Sequence, residues 1–460
     1  MGISLDGLSS GLDTTSLIAS LMQSESIPQN LLKAQVTSTT AEITALQSLN
    51  AKIAALGVLA KAASKPGALD LYSASSSNTN VKATAGAGAT GGELQVVVSA
   101  LAQNQIGVSA AMSAWPTPAT ITIVGHGGPV EISAASGSLD DVVTAVNASS
   151  AGVTATKVAA GKDSGGNPVY RLQFSSKTTG ADAAFSVYQG TAANVAAGTA
   201  TNVLTAPGAA ITKTAQDASV KLWAGTSAEQ TVTSASNTFT DLLPGVSVTV
   251  SATSTDPTTI TIGRDSSAVA SKASALVDAL NLVFSVISNQ SASSTVTNAD
   301  GTTSLKAGVF AGDSTVRDID DKVMSAATMP IDGHSPSEYG ISVTKDGTIT
   351  FDTDKFQAAL AADPDAVNAA LQTISTRVAA VTDIASDKYT GQITQRITGD
   401  QSSVTSLNDQ VAAWDIRLAS RKSTLERTYS AMEVLLSNMK AQSAALTSQL
   451  SSLSSSSSGS

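Results

Sequence analysis

Toward the C-terminus an apolar seam recurs at alternating three- and four-residue steps. Ile393, Ile397, Val404, Leu407, Val411, Trp414, Leu418, Leu425, Met432, Leu435, Met439, Leu446 and Leu453 fall on it. Asp400, Arg421, Thr428, Gln442 and Gln449 occupy the missing rungs as polar notches. An α-helix returns to one face at those steps, and a sustained heptad makes that face a partner-binding stripe. At about 1.5 Å per residue the stretch predicts a rod of roughly 100 Å. No ordinary core encloses such a rod, so it must project. Near the N-terminus Leu32, Val36, Ile43, Leu46, Ile53 and Ala60 keep the same stepping, with Leu49, Leu56 and Leu59 widening the face. Pro28 suits the first turn of that helix, and Pro66-Gly67 ends it. The pattern predicts that the terminal helices pair and that the middle of the chain is an insertion. The alternative is two unrelated amphipathic helices, each packed on its own domain.

Ahead of the first long helix, Asp13 is a good N-cap, and Leu17, Ile18, Leu21 and Met22 form a short apolar face. One short helix is marginal in water, so this segment is expected to become ordered on meeting a partner. From about Leu71 the signature turns to β. Short alternating or β-branched runs appear at Glu93–Ser99, Thr120–Val124, Val153–Val158, Val169–Ser175, Val220–Trp223, Val246–Ser251 and Thr258–Ile262. Gly, Pro, Asn and Asp separate them. Ser138–Asn147 interrupts with one amphipathic helix capped by Ser138. Antiparallel sheets with small cores, in two successive β-domains, suit this pattern. Helical spacing returns at Ser266–Ser288 through Val269, Ala273, Leu276, Leu280, Val283 and Ile287. A polar loop is expected at Ser291–Thr303 and a helix at Ser314–Ala326. A hairpin follows about Lys345-Asp346-Gly347 with Ile341, Val343, Ile349 and Phe351 as its apolar residues, then helices from Asp354 and Pro364. The closing SSLSSSSSGS is low-complexity and is expected to be disordered.

Composition narrows the function. Hydrophobic residues reach 42%, but aromatic residues only 3%, which suits slim helices and small β-domains better than one large core. There is no cysteine, so disulfides, Cys-ligated metals and thiol catalysis are excluded. His126 and His334 sit far apart in turn-like contexts, which disfavours histidine catalysis or a multi-histidine metal site. A net charge of −10 argues against a nucleic-acid-binding surface. No run of eighteen apolar residues exists to span a membrane, and the N-terminus lacks the pattern of a secretory signal. The Ser/Thr/Ala/Gly-rich composition nevertheless looks extracellular, which is consistent with export that leaves no cleaved signal; a cytosolic location is the alternative.

Sites with chemistry are few. Asp346, Asp352 and Asp354 lack EF-hand spacing and read as a hairpin turn plus a helix cap. Gly86–Gly92 lacks the ending of a phosphate loop and reads as a linker, and Gly125-His126-Gly127-Gly128 reads as a turn. Asn147-Ala148-Ser149 matches a glycosylation acceptor but sits at a helix end. Trp414 is expected to pack on the N-terminal helix or on a neighbouring copy, with a dedicated partner pocket as the alternative. Asp400 and Arg421 are candidates to set helix register.

Taken in order, the motifs resemble the flagellar filament cap family, also called hook-associated protein 2. Gly7-Leu8-Ser9-Ser10-Gly11-Leu12-Asp13-Thr14 with Leu17-Ile18 resembles its opening signature, and Ser99-Ala100-Leu101-Ala102-Gln103-Asn104-Gln105 its Leu-Ala-Gln stretch. Leu139-Asp140-Asp141-Val142-Val143, Ala145-Val146-Asn147 and Gly152-Val153-Thr154-Ala155 resemble a repeat shared by hook-associated proteins and flagellins. Leu243-Pro244-Gly245-Val246, Gly312-Asp313-Ser314-Thr315-Val316-Arg317 and Gly340-Ile341 before Asp346-Gly347 follow in family order. Two departures stand out: Leu280-Asn281 where the family has Tyr-Asn, and Met432 where an aromatic is expected after Tyr429.

The resemblance implies an α+β multidomain fold in which terminal helices form a coiled-coil leg and antiparallel β-rich heads are inserted. The expected division is a mobile segment at 1–27, a helical leg at 28–66 and 263–388, a proximal β head at 67–112 and 215–262, and a distal head at 113–214. A coiled coil at 389–453 and a tail at 454–460 complete it. It further implies no enzyme and no cofactor, but a ring of identical copies at the tip of the flagellum. That ring retains flagellin, which arrives through the type III apparatus, and promotes its folding. Flagellin, hook–filament junction proteins and a cytoplasmic export chaperone are the implied partners. The implied filament-binding residues are Leu5, Leu8, Leu12, Leu17, Ile18 and Leu21, with a seam of Val404, Leu407, Val411, Trp414, Leu418, Leu425, Met432, Leu435, Met439 and Leu446. Other readings are a different axial component of the flagellum and a surface adhesin whose β heads bind host glycans.

Overall fold

The structure is a computed structural model; it describes residues 11, 13–297 and 300–456, with the side chains of Asp241 and of 452–456 left aside. In chain order the helices are α1 (Thr14–Glu25), α2 (Ile27–Ala63), α3 (Leu139–Ala148), α4 (Ala192–Ala196), α5 (Ser266–Ser291), α6 (Ser314–Thr328), α7 (Thr353–Ala362), α8 (Pro364–Ser386) and α9 (Gln392–Ser456). The chain folds as two compact units, one built from Met1–Leu69 with Ala270–Ser460 and the other from Asp70–Val269.

The first unit is helical. Helix α2 packs on both α8 and α9, so the two chain ends pair as their heptads predict. Leu49, Ile53, Leu56 and Ala60 of α2 are fully buried, and Leu371, Ile374 and Val378 of α8 are buried with them. Burial of a large aliphatic side chain contributes about 1.5–3 kcal/mol, so this stripe supplies much of the driving force for pairing. Gly57 permits the close approach: a Cβ there would stand 2.8 Å from Oγ1 of the buried Thr382 on α8. Leu59, counted on the same face from sequence, is instead 41% exposed. It lies at the margin, where a 3.6-residue repeat drifts off a heptad. Two helices, α2 and α5, are long and apolar enough to cross a membrane by composition, against the expectation from run length. Their apolar faces are inside the unit, and the expected stripe of α5 (Val269, Ala273, Leu276, Leu280, Val283, Ile287) is buried throughout.

The expected hairpin forms between Ile341–Val343 and Ile349–Phe351, turning at Gly347 with φ +77°. Ile341 and Ile349 are buried, but Val343, opposite Ile349, is exposed. Asn281 on α5 secures the hairpin: its amide donates to Ile349 O at 2.7 Å and accepts from Ile349 N at 2.9 Å. Asp352 caps α7 by accepting from Lys355 N at 3.0 Å, as its position suggested. The loop expected at 291–303 differs: Ser294–Thr297 pairs with Thr303–Lys306 as an exposed hairpin. Alternating Thr and Val make that strand, while its polar content hides it from a hydrophobic pattern. The serine-rich end is helical through Ser456, since a long helix adds residues without a new nucleation cost.

The second unit is β-rich and entirely antiparallel in its named ladders. A five-stranded sheet runs in the order Tyr72–Ser76, Thr258–Arg264, Gly92–Ala100, Ala218–Leu222, Gln230–Ser234. With Thr238–Leu243, Val246–Val250 and Val81–Ala85 it encloses one core, centred on Val96, Val98, Val220, Val248 and Ile260. Gly245 turns between two of these strands at φ +68°, and a Cβ there would meet Ala89 N at 2.5 Å, so only glycine fits. The run Gly86–Gly92 is therefore a packed turn, not a linker; Gly86 N donates to Gly245 O and Ala89 is buried.

A separate core lies among Ile121, Ile123, Val142, Val146, Leu172, Phe174 and Val187, where α3 covers two four-stranded sheets. Ser138 caps α3 as expected. The Leu-Ala-Gln stretch leads from one core to the other, and Gln105, itself buried, donates its amide to Phe185 O at 2.5 Å. Asn147, the possible glycan acceptor, has its amide committed to Ala155, donating to its carbonyl and accepting from its N–H. His126-Gly127 form a two-residue hairpin turn closed by the Gly125–Gly128 pair. Strands such as Tyr72–Ser76, Gly128–Ser133 and Ser186–Gln189 escaped the sequence reading, being short and rich in Ser, Gly or Pro.

Candidate binding surface on the terminal helices

Helix α1 lies against α9, and together they give the predicted site residues definite positions. Asp13 accepts from Ser16 N at 2.8 Å and fixes the start of α1. Thr14 and Ile18 are buried and Met22 half-buried, whereas Leu17 and Leu21 remain about two-fifths exposed. The four apolar residues read as one face thus divide by i, i+4 spacing into an inner pair and an outer pair. The sequence reading looked to a partner to order this segment; α1 packs on α9 of the same chain. Leu5, Leu8 and Leu12 lie outside the described residues.

The seam of α9 divides along its length. Ile393 and Leu407 are buried under α2 and α8, and Val404, Val411 and Trp414 are half-buried. Leu418, Leu425 and Met432 are half-buried, and Leu418 lines a cleft of about 840 Å³ that opens against α1 between Ile18, Met22, Tyr429 and Glu433. Beyond it Leu435, Met439 and Leu446 are each about 60% exposed, with Val434 and Leu450 beside them. These rungs do not form a seam within the chain, because no helix of the described residues reaches that far along the rod.

Polar groups set the register. Arg421 Nε donates to Glu25 Oε1 at 2.9 Å, and the buried Gln29 donates to Asp415 Oδ1 at 2.5 Å and to Val411 O at 3.4 Å. Both contacts cross between the N-terminal helices and α9. Arg396 gathers three carboxylates: Glu42 on α2, Asp313 at 2.8 Å and Asp400 at 3.9 Å. Burial opposes the guanidinium charge, but Glu42 and Asp313 outweigh it and hold its pKa above the ordinary value. Two of the notches, Asp400 and Arg421, therefore have partners. The arrangement offers apolar surface and fixed helix geometry, and no group of three or more metal-ligating side chains occurs among the described residues.

Sequence reasoning missed Ile27, Leu31 and Ile416, all well exposed. Ile27 and Leu31 are one turn apart and sit off the α2 heptad, so only the fold reveals them as surface. Gln29 carried no signal either, since glutamine in a first turn is ordinary.

Family models for the flagellar hook-associated protein 2 C-terminus and N-terminus match residues 215–441 and 10–105, together well over half of the chain. The chain belongs to this family. A flagellin hook IN motif matches 120–178, within the second core. Flagellar hook-associated protein 2 of Escherichia coli O157:H7 is 27% identical over 97% of this chain and 98% of its own length. The A-type protein of Pseudomonas aeruginosa is likewise 27% identical, over 98% of this chain and 97% of its own. The fold resembles the D1-D2-D3 domains of the flagellar cap protein FliD from Escherichia coli, with a TM-score of 0.58 at 22% identity over 78% of this chain and 99% of that one. Leu280 of α5 is buried, 1% exposed, beside Asn281, which holds the hairpin.

Proposed function

We propose that this protein caps the distal tip of a bacterial flagellar filament, assembling as a ring of identical copies that retains exported flagellin and promotes its insertion. The observation that carries this reading is the division of α9. Its first half is packed inside the chain, and its second half presents Leu435, Met439 and Leu446 on an unpaired rod. A rod held firmly at one end and apolar at the other suits insertion among other helices. The outer residues of α1, Leu17 and Leu21, extend that apolar surface beside Ile18. Many modest apolar contacts, each worth about 1 kcal/mol or less at a surface, let a cap hold yet step as each subunit enters. The role is mechanical and calls for no catalytic group.

Two finer readings accompany it. The two β cores support a division into two heads, near 67–112 with 215–262 and near 113–214, alongside a separate leg of terminal helices in the chain's organisation. Export proceeds through the flagellar type III apparatus. A chain free of disulfides, with small cores, suits passage in an unfolded state. Flagellin and the hook–filament junction proteins are the partners of the leg, and the exposed end of α9 is the place for an export chaperone.

Deleting the gene tests the cap reading through flagellin in the culture supernatant. Abundant unpolymerised flagellin with bare hooks is expected, and restoring the gene should return filaments. Restoration by a chain truncated before Leu435 would contradict the role given to the end of α9. Normal filaments with no leaked flagellin in the deletion strain would overturn the cap reading itself.

A further inference from the structure

We propose that Trp223 is the anchor by which one copy of this chain grips the next, its indole entering a cleft lined by Trp115, Pro116, Pro118, Gln189 and Asn194 on the neighbour. The inference deepens the ring assembly proposed above and rests on it.

Trp223 follows the strand Ala218–Leu222, at the tip of the hairpin that leads to the edge strand Gln230–Ser234. It is 45% exposed and adopts φ +49°, a left-handed conformation that bulky residues rarely take. Such strain persists only where the surroundings impose it, and here they do. Trp223 O accepts from Thr226 N at 3.2 Å and from Thr226 Oγ1 at 2.8 Å. Glu229 accepts from Gly225 N at 2.9 Å and from Lys221 Nζ at 2.8 Å, which draws the loop closed. Those two hydrogen bonds hold the Glu229 carboxyl below its usual range, the Lys221 bond more strongly. These hydrogen bonds fix the backbone of the turn that presents the indole to solvent. Tryptophan is among the side chains most enriched at interface anchors, and a preordered backbone loses little entropy on binding.

The same unit carries a recess of matching scale. A cleft of about 210 Å³ is bounded by the Trp115–Pro118 segment on one side and by Gln189, Gly190, Thr191 and Asn194 on the other. An apolar cavity of about 150 Å³ accepts a benzene ring, so this space takes the larger indole. The proline rings offer flat apolar walls. The Gln189 amide brings an acceptor to the rim, suited to the indole N–H, while Asn194 Oδ1 is already engaged by Thr191 N and Oγ1. Knob and recess are different patches of one unit, and a ring requires that they engage head-to-tail, each copy's knob in the next copy's recess. Repeated head-to-tail contacts close a ring when the rotation between copies allows it.

Full-length protein tests this by sedimentation velocity over a concentration series. Trp223→Ala is expected to weaken assembly by about tenfold or more, with unchanged circular dichroism. Thr117→Arg, which places a charge over the recess, should weaken it similarly. Because the chain has no cysteine, Ser227→Cys, in the same turn as Trp223, with Thr117→Cys in one chain leaves the anchor in place and permits a further reading with a short bis-maleimide. A ladder of cross-linked copies is expected from the double variant, and none beyond a dimer from either single variant. Wild-type assembly retained by both Trp223→Ala and Thr117→Arg would overturn the proposal. So would a wild-type chain that stays monomeric, and in that case leaked flagellin in the deletion strain still decides the capping role separately.

Discussion

Replacing Arg396 with methionine should loosen the joint that holds α9 to the rest of the helical unit. The guanidinium bridges Glu42 on α2 to Asp313 at the start of α6, so one side chain ties three helices. The Asp313 side chain is only 6% exposed, while Arg396 and Glu42 are about one-third and one-quarter exposed. Breaking a buried pair by removing one partner costs about 3–5 kcal/mol, and an exposed one less than about 1 kcal/mol. Asp313 keeps compensation, since its carboxylate still accepts from Thr315 N at 2.9 Å and Val316 N at 3.1 Å. The expected loss is therefore intermediate, about 2–3 kcal/mol. At about 2–4 °C per kcal/mol for a unit of this size, the thermal midpoint should fall by roughly 4–12 °C. Differential scanning calorimetry of the full chain resolves this, with Asp313→Asn and the double variant completing a cycle. The two losses should overlap, giving a coupling of about 1–2 kcal/mol. A midpoint within 1 °C of wild type, taking ~1 °C as the scatter expected of a neutral surface change, would refute the clamp. Strict additivity in the cycle would refute the direct pairing.

Three further outcomes follow from local geometry. Asn281→Ala removes both bonds to Ile349 and leaves a backbone N–H and C=O without partners, so unfolding should be about 1–3 kcal/mol easier by urea titration. Asp387 is held at a pKa of about 2 by the Thr390 N–H, the Thr390 hydroxyl and the Tyr389 N–H, with Lys61 adding a smaller pull. A lowered carboxylate contributes stability that is complete above its unfolded value and is lost as pH falls through about 2, so Asp387→Asn should lower the melting midpoint at pH 5 yet match wild type near pH 2. Asp320 points the other way: burial first, and the Asp321 charge second, raise its pKa, and its Oδ1 has no hydrogen-bond partner. Its charged form costs stability as pH rises through that raised value, so Asp320→Asn should raise the midpoint at pH 7, and the gain should vanish in acid.

How much was legible in advance depended on the distance over which each feature is decided. The α9 heptad, the α2 stripe and the caps at Asp13, Ser138 and Asp352 are local, so periodicity and cap chemistry were enough to read them. The short strands at Tyr72–Ser76 and Ser186–Gln189 were not legible, since four or five residues carry too little pattern of their own and pair with strands supplied by distant segments. The candidate surface was half legible for a similar reason. The apolar rungs of α9 are visible in the chain, but which are covered depends on where α1, α2 and α8 end along the rod.

By itself, then, the sequence determined the helical ends, the β-rich middle, the family and the lack of any disulfide, because spacing, composition and ordered motifs are properties of the chain alone. Tertiary structure alone decided that Ile18 faces inward while Leu17 and Leu21 face out, and that Arg396 joins Glu42 to Asp313. It alone left Leu435, Met439 and Leu446 uncovered and gave Trp223 its left-handed, exposed setting. Burial and pairing are relations between segments hundreds of residues apart, and no local pattern carries them.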